Sequence, residues 1–206
     1  MTIRHALFAA IFAAATAAVA EARQQPIDPV DFRPFVDGGH WIVRQPLVYR
    51  IGVSTEQITV PVGFVTDFAS IPQALQSIIK QHGLYILPAV VHDYLYWDQS
   101  CTRKQADQIF LLAMIENKVG AIHRSAIHSA VAAAGSFAWD DNARERAVGM
   151  VRILPPDRQR ITAATLWPLY RQEVMAAGVT EPAHAPIAAG FCARGDMTTD
   201  EALKRP

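Results

Sequence analysis

Short runs of β-branched and aromatic residues near the start of the chain predict a small antiparallel sheet. These runs occupy residues 41–43, 47–51 and 57–60. Residues 52–56, which include Gly, Ser and Thr, separate the last two runs and are typical of a turn between neighbouring strands. Ahead of the runs, residues 24–34 are polar and contain proline, which indicates a loosely held lead-in segment.

Beyond Pro61 the apolar positions change to the spacing of an α-helix. Thr102, followed three residues later by Gln105, has the pattern of a capping box at a helix start. The five predicted helices begin near Ser70, near Pro88 and after Thr102, and cover roughly residues 122–139 and 161–177. Together these elements predict an α+β fold, mainly α, in which a small antiparallel sheet near the N-terminus is followed by a bundle of about five helices.

The composition suits one domain with a single core, since 51% of the 206 residues are hydrophobic. We expect this domain over residues 21–178, followed by a Pro-, Gly- and Ala-rich tail over residues 179–206. Lys plus Arg equals Asp plus Glu, at 19 each. This balance gives no long-range field that would draw the protein to nucleic acid or to an anionic membrane, so any partner must be recognised locally. The sequence does not set the oligomeric state.

Residues 1–20 have the organisation of a secretory signal peptide. Arg4 and His5 give a basic start, the next fifteen residues are uncharged, and the last three, Ala-Val-Ala, fit a cleavage site. The alternative is an uncleaved anchor, although this run is shorter than the roughly 20 residues that span a bilayer. The sequence therefore predicts a periplasmic or secreted protein. In such a compartment Cys101 and Cys192 could form a disulfide that ties down the tail, with two separate thiols as the alternative.

A histidine and an aspartate lie side by side in the most apolar predicted helix. His92 and Asp93 have Val, Leu, Tyr and Trp as sequence neighbours, so their burial is costly unless each is hydrogen-bonded or binds a cation. On the next helix, Asp107 shares the core-facing side with Phe110. A short connection would pack the two helices antiparallel and bring Asp107 to the ring of His92. Because a carboxylate that holds one ring nitrogen lets the other take a proton from water, we predict His92 and Asp107 as catalytic residues.

Asp67 lies in the middle of a predicted strand-to-helix corner at residues 63–72. The carboxylates of Asp67 and Asp93, with nearby backbone carbonyls, form the all-oxygen ligand set that Ca²⁺ prefers. We therefore predict Asp67 and Asp93 as metal ligands and Ca²⁺ as a cofactor. The ion would polarise an ester carbonyl while His92 activates the attacking water.

Three motifs, found in order along the chain, resemble a family of unknown function that occurs in phages and bacteria. They are VPxGFxTDxASxP at residues 60–72, HDxLY at residues 92–96 and RKxADxxF at residues 103–110. The resemblance covers about residues 40–135, and it implies no particular activity.

The chain is also similar to the secreted phospholipases A2. These enzymes place His-Asp, and a Tyr three positions after the Asp, on one helix and a further Asp on the neighbouring helix. His92, Asp93, Tyr96 and Asp107 fit that arrangement, and Asp67 with the three residues after it is similar to a calcium-ligating segment of bacterial members. The resemblance implies that His92 is the base, that Asp107 orients it, and that Asp67 and Asp93 bind Ca²⁺. The chain departs from that superfamily in lacking the paired-cysteine framework and the Gly-rich calcium loop.

The first hypothesis from the sequence is an exported ester hydrolase of phospholipase A2-like type, whose partner would be a lipid or another small ester and which could contact a membrane peripherally. The alternative is a non-catalytic envelope or phage-derived binding or structural domain, in which the His-Asp network only joins helices. Arg103 favours that alternative, because it stands four residues before Asp107 and could form an ordinary helix ion pair with it. A metal-dependent phosphohydrolase with a His-Asp ligand pair is a third interpretation. It would have to take further ligands from His40, His82, Asp140 or Asp141.

Overall fold

The structure is a computed structural model that describes residues 27–68 and 83–206. The expected signal peptide, the helix expected to begin near Ser70, and His82 lie outside these residues. The described strands are β1 (Phe32–Pro34), β2 (Trp41–Val43), β3 (Leu47–Arg50), β4 (Gln57–Val60) and β5 (Val65–Thr66). The described helices are α1 (Ile86–Asp98), α2 (Arg103–Glu116), α3 (Ala121–Ala147), α4 (Trp167–Ala176), α5 (Ala189–Ala193) and α6 (Thr199–Lys204), with short 3₁₀ turns at Pro156–Arg158 and Arg194–Asp196. The fold is α+β and mainly α, as predicted.

The strands form two small antiparallel sheets near the N-terminus. β3 and β4 make the predicted hairpin, and the turn between them includes residues 52–56. β2 pairs with β1 on one side and with β5 on the other. The chain reaches β5 through Gly63, whose φ of +89° and close approach to the carbonyl oxygen of Leu154 leave no room for a side chain. This turn places Thr66 and Asp67 beside α1.

Helices α1, α2 and α3 pack against one another and against the sheets. The residues of α1 from Pro88 to Asp98 are all buried, which explains why the helix is apolar on every side. Gln99 ends α1 in the left-handed conformation, with a φ of 59°, and so turns the chain directly towards α2. Thr102 and Gln105 form the predicted capping box at the start of α2.

Two helix boundaries differ from the prediction. α3 continues to Ala147, beyond the expected end at residue 139. The charged segment after residue 139 remains helical because most of its side chains are in solvent and because its two arginines lie in the last turn, where the helix dipole favours cations. α4 begins at Trp167 rather than at residue 161. The preceding segment instead forms a turn in which the Thr162 amide donates to the Thr165 hydroxyl. No helix in the described part of the chain is both long and apolar enough to cross a membrane.

Residues 179–206, expected to be a tail, contain α5 and α6 and pack on the main core. Phe191 and Ala202 are fully buried there. A disulfide joins Cys101, between α1 and α2, to Cys192 in α5, with the two Cα atoms 5.1 Å apart. The C-terminal residues are therefore held against the same helices that carry the candidate site.

Candidate functional site

The antiparallel packing of α1 and α2 brings His92 and Asp107 into contact. The Nε2 atom of His92 lies 3.1 Å from Oδ1 of Asp107, and the exposed fractions of the two residues are 4% and 5%. Phe110, one turn after Asp107 on the same face of α2, lies against the imidazole ring at a centroid distance of 4.6 Å. The structure thus places together the two residues that the sequence selected as a catalytic pair.

Asp107 accepts hydrogen bonds from two further side chains. The hydroxyl of Tyr96 donates to Oδ1 of Asp107 at 2.5 Å, and Nη1 of Arg103 donates to Oδ2 at 3.1 Å. Arg103 also contacts the backbone carbonyl of Ala132 on α3, at 3.4 Å. Asp107 therefore forms both the inward contact that the catalytic hypothesis needs and the ion pair that the structural alternative needs. Its carboxylate is held by partners on α1 and α2, and Arg103 links the network to α3.

Gly135 on α3 lets Tyr96 reach its place in this network. A Cβ atom at Gly135 would lie 2.3 Å from the Tyr96 hydroxyl oxygen, well inside any normal contact. Burial raises the pKa of Tyr96, and the hydrogen bond to Asp107 raises it further. Tyr96 therefore stays protonated and acts as a donor to Asp107.

Burial controls the charge of His92. Desolvation lowers the pKa of the imidazole, because the charged form loses its hydration, and the hydrogen bond to Asp107 only partly opposes this effect. His92 is therefore neutral at neutral pH. Since the carboxylate of Asp107 accepts a hydrogen bond from Nε2, the tautomer inferred from this partner has an unprotonated Nδ1, which makes no hydrogen bond to another described residue.

The ring of His92 also lines a cleft of about 310 Å³. One wall of the cleft is a face of α3 that carries Ala130, Ala134 and Ala138, followed along the helix by Asp141 and Glu145. The remaining described residues that line it are His40, Asp67, Asp93, Tyr96, Val131, Gly135, Asn142, Arg152, Trp167 and Arg171. A buried, neutral imidazole with one nitrogen held by a carboxylate thus meets an open space large enough for a small ligand.

Asp67 and Asp93 meet at the corner after β5. Oδ2 of Asp93 accepts from the Thr66 hydroxyl at 2.5 Å and from the backbone amide of Asp67 at 3.3 Å. The Thr66 hydroxyl oxygen in turn accepts from the amide of Phe68, at 3.0 Å, and the φ of Phe68 is +57°. The two carboxylates are therefore neighbours at a tight corner, and both line the cleft.

The described residues of this corner fit Ca²⁺ poorly. Calcium sites use six to eight oxygen ligands, whereas no group of three His, Cys, Asp or Glu residues in the described ranges could hold a metal ion. Oδ2 of Asp93 is already an acceptor of two hydrogen bonds, and Oδ2 of Asp67 faces the guanidinium of Arg152 at 3.8 Å. The calcium site stays a prediction, and we derive no chemical step through it.

Of the further ligands named for a phosphohydrolase, the structure describes His40, Asp140 and Asp141. His40 and Asp141 line the cleft, whereas Asp140 is exposed and does not. None of them belongs to a metal-ligand group within residues 27–68 and 83–206.

Two arginines, Arg152 and Arg171, also line the cleft, although no sequence pattern indicated them. Arg171 donates from Nε to the carbonyl of Val151 at 2.8 Å and forms an ion pair with Glu145 at 2.7 Å. Both guanidinium groups lie against the ring of Trp97, at 5.8 Å for Arg152 and 5.5 Å for Arg171. Neither arginine belongs to a helical pattern shared with the His-Asp pair, so periodicity gave no signal for them.

Comparison with known proteins identifies one segment of the chain. No curated protein and no solved structure matches the chain. Residues 41–131, from β2 into α3, match the model of a family described as "Protein of unknown function (DUF1353)". The resemblance to a family of unknown function that the sequence motifs indicated is therefore confirmed for this segment.

Proposed function

We propose that this protein is an ester hydrolase in which His92 activates the attacking water. One observation carries the proposal: the Nε2 atom of His92 is held by Asp107 at 3.1 Å while the same ring lines a cleft. Burial keeps the imidazole neutral, so it can take up a proton. The similarity to the His-Asp helix of secreted phospholipases A2 supports the same assignment.

The reaction needs only the ester and water. The water oxygen attacks the carbonyl carbon while one water proton passes to Nδ1 of His92, and the electron pair of the carbonyl π bond moves to oxygen. Asp107 stabilises the imidazolium that forms. When the carbonyl re-forms, the bond to the alcohol oxygen breaks and His92 returns the proton to that oxygen. The products are a carboxylic acid and an alcohol.

The shape of the cleft favours a substrate with an apolar part. Its wall on α3 carries Ala130, Ala134 and Ala138 before it becomes charged at Asp141 and Glu145. A volume of about 310 Å³ lies at the lower end of the range for small-molecule sites. We therefore propose a lipid or another small ester as the substrate class, met by peripheral contact when the ester lies in a membrane.

Export is a further part of the proposal. The disulfide between Cys101 and Cys192 supports it, because such bonds persist in oxidising compartments and are rare in the cytosol. N-terminal sequencing of the protein recovered from the periplasm or medium tests it. We expect the mature chain to begin at Glu21, and an intact Met1 on protein retained in the cytoplasm would contradict export.

A panel of esters tests the activity itself. Wild-type protein should hydrolyse at least one class among short-chain fatty acyl esters, monoacylglycerols and phospholipids. His92→Asn should reduce kcat by about 10² to 10⁴-fold, the usual contribution of a general base. His123→Asn is the matched control, since His123 also lies on a helix but does not line the cleft. Equal rates for wild type and His92→Asn on every ester would end the proposal.

The structural alternative rests on the ion pair between Arg103 and Asp107. If the network only joins α1, α2 and α3, wild-type protein hydrolyses no ester and its partner is a macromolecule of the envelope or of a phage particle. That function predicts that His92→Asn lowers the melting temperature and that neither this variant nor wild type hydrolyses any ester of the panel. A well-folded His92→Asn variant that has lost ester hydrolysis would contradict it.

A further inference from the structure

We infer that Arg152, rather than a bound divalent cation, supplies the positive charge that faces the substrate in this cleft. The inference rests on the proposed ester hydrolysis and adds a second catalytic residue to it. In this role Arg152 donates hydrogen bonds to the oxygen that becomes negative when water attacks the carbonyl carbon.

The backbone of Arg152 is fixed beside the corner that carries Asp67. The carbonyl oxygen of Arg152 accepts from the amide of Val65 in β5 at 2.8 Å, and the next residue, Ile153, forms a β-bridge with Phe64. The amide of Arg152 donates to the carboxylate of Glu181. Arg152 is therefore anchored on both sides of its peptide chain, next to the strand that leads into Asp67.

The guanidinium of Arg152 is held by Asn142 and Trp97 and still has N–H groups with which it could donate hydrogen bonds to a ligand. Nη1 donates to Oδ1 of Asn142 at 3.2 Å, and the group lies 5.8 Å from the ring centroid of Trp97. Nη2 is 3.8 Å from Oδ2 of Asp67, which is an ion pair but longer than a hydrogen bond. The side chain is only 13% exposed. A fixed cation in so dry a setting acts more strongly on a developing negative charge than the same group in water.

The same contacts oppose a divalent cation at Asp67 and Asp93. An ion bound to Oδ2 of Asp67 would lie close to the guanidinium of Arg152, and like charges at that range repel strongly in a partly buried site. Oδ2 of Asp93 is engaged by the Thr66 hydroxyl and the Asp67 amide. Asp67 thus holds Arg152 in place, and Asp93 holds the corner together.

Arg152 completes the step begun by His92. As the water oxygen bonds to the carbonyl carbon and its proton moves to Nδ1 of His92, the carbonyl electron pair becomes an alkoxide-like oxygen opposite the guanidinium. That pair returns to re-form the carbonyl when the alcohol leaves with the proton from His92. Arg152 acts only as a hydrogen-bond donor and keeps its charge, so it adds no proton transfer to the balance.

Calcium titration of the full chain tests the inference without any activity assay. Metal-stripped wild-type protein should show no heat of binding with CaCl₂ at millimolar concentration. In Arg152→Gln the carboxylate of Asp67 loses the guanidinium that faces it, so we expect Ca²⁺ to bind at least tenfold more tightly than to wild type. Micromolar binding to wild type that Asp67→Asn abolishes would overturn the inference, as would the same weak affinity in wild type and Arg152→Gln.

Hydrolysis in the presence of EGTA tests the catalytic role. Arg152→Gln should lower kcat at least 100-fold with KM changed less than threefold, and Arg152→Lys should recover part of the rate. Arg50→Gln is the control, because Arg50 is an exposed arginine of β3 that bonds to Gln57. A wild-type rate that EGTA abolishes, or a loss confined to KM in Arg152→Gln, would overturn the role of Arg152. Wild-type protein that hydrolyses no ester contradicts the proposed function, whereas the calcium titration still decides whether the cleft is a cation site.

Discussion

Two carboxylate regions flank His92, and they are built in opposite ways. Asp107 is buried, and it takes its side-chain partners His92, Tyr96 and Arg103 from within fifteen residues of the chain. The corner of Asp67 and Asp93 faces an open cleft, and its cationic partner is remote in sequence. A short helical hairpin thus fixes the orientation of the imidazole, whereas long-range packing sets the charge that lines the cleft.

The largest expected difference between the two regions is in stability. Asp107→Ala leaves His92, Tyr96 and Arg103 without their common acceptor, so we expect it to lower the free energy of unfolding by about 3–5 kcal/mol, as for other broken buried pairs. Asp67→Ala removes a longer, partly exposed ion pair, and should cost about 1 kcal/mol or less from that pair. Urea denaturation followed by circular dichroism measures both values, and equal losses would contradict the contrast.

The disulfide tests how far the cleft side depends on residues 179–206. Glu181, in that segment, accepts from the amides of Arg152 and Ile153. The Cys101→Ser, Cys192→Ser double variant should lose about 2–4 kcal/mol of unfolding free energy, the usual contribution of a disulfide. Reduction of wild type by dithiothreitol should give a similar loss, and the double variant should then be insensitive to the reductant. An unchanged denaturation midpoint in both experiments would show that the segment holds without its link.

Gly135 tests the precision of the Asp107 region. In Gly135→Ala the new methyl group meets the Tyr96 hydroxyl, and overpacking of this kind costs about 1–3 kcal/mol. We expect a lower melting temperature and, because Tyr96 is displaced from Asp107, a slower rate of ester hydrolysis. Ser136→Ala is the matched control, since Ser136 is the exposed neighbour on the same helix. A Gly135→Ala variant as stable and active as this control would contradict the packing described here.

The smallest effect concerns pH. The pKa of His92 is lowered by burial, so the unfolded chain binds a proton at a pH where the native protein does not. The contribution of His92 to the free energy of unfolding should therefore be fully present above its ordinary pKa of 6.5. It should fall as the pH decreases towards the pKa of His92 in the folded protein. The slope from this group is at most about 1.4 kcal/mol per pH unit. Denaturation midpoints from pH 7.5 to 5 should vary less in His92→Asn than in wild type, and an identical pH dependence would contradict the shift.

The same contrast explains what the sequence could predict. Helical spacing placed Asp107 on the core side of α2, and the Thr102 capping box set where that helix begins, because both signals are local. β1 was missed, since three residues that end in Pro34 give no strand pattern. The tail composition hid the two short helices of residues 179–206, where tertiary contacts and a disulfide override weak local preference.

The cleft side could not be predicted from local patterns. Arg152 stands 85 residues after Asp67, the difference between the two residue numbers, and it reaches the corner only because residues 151–153 run beside β5. Its sequence neighbours are Val151 and Ile153, which show no pattern of a site. The sequence therefore indicated a bound cation at this corner, but it did not show that the guanidinium of Arg152 supplies a positive charge there.

A double-mutant cycle on His92 and Asp107 tests the central claim most directly. The kcat of wild type, His92→Asn, Asp107→Asn and the double variant should be measured on the best ester, with folding checked by circular dichroism. If the two residues act as one unit, the double variant should be no slower than His92→Asn alone, because Asp107 works only through the imidazole. Losses that simply multiply in the double variant, or a full rate in His92→Asn, would contradict a His92–Asp107 catalytic pair.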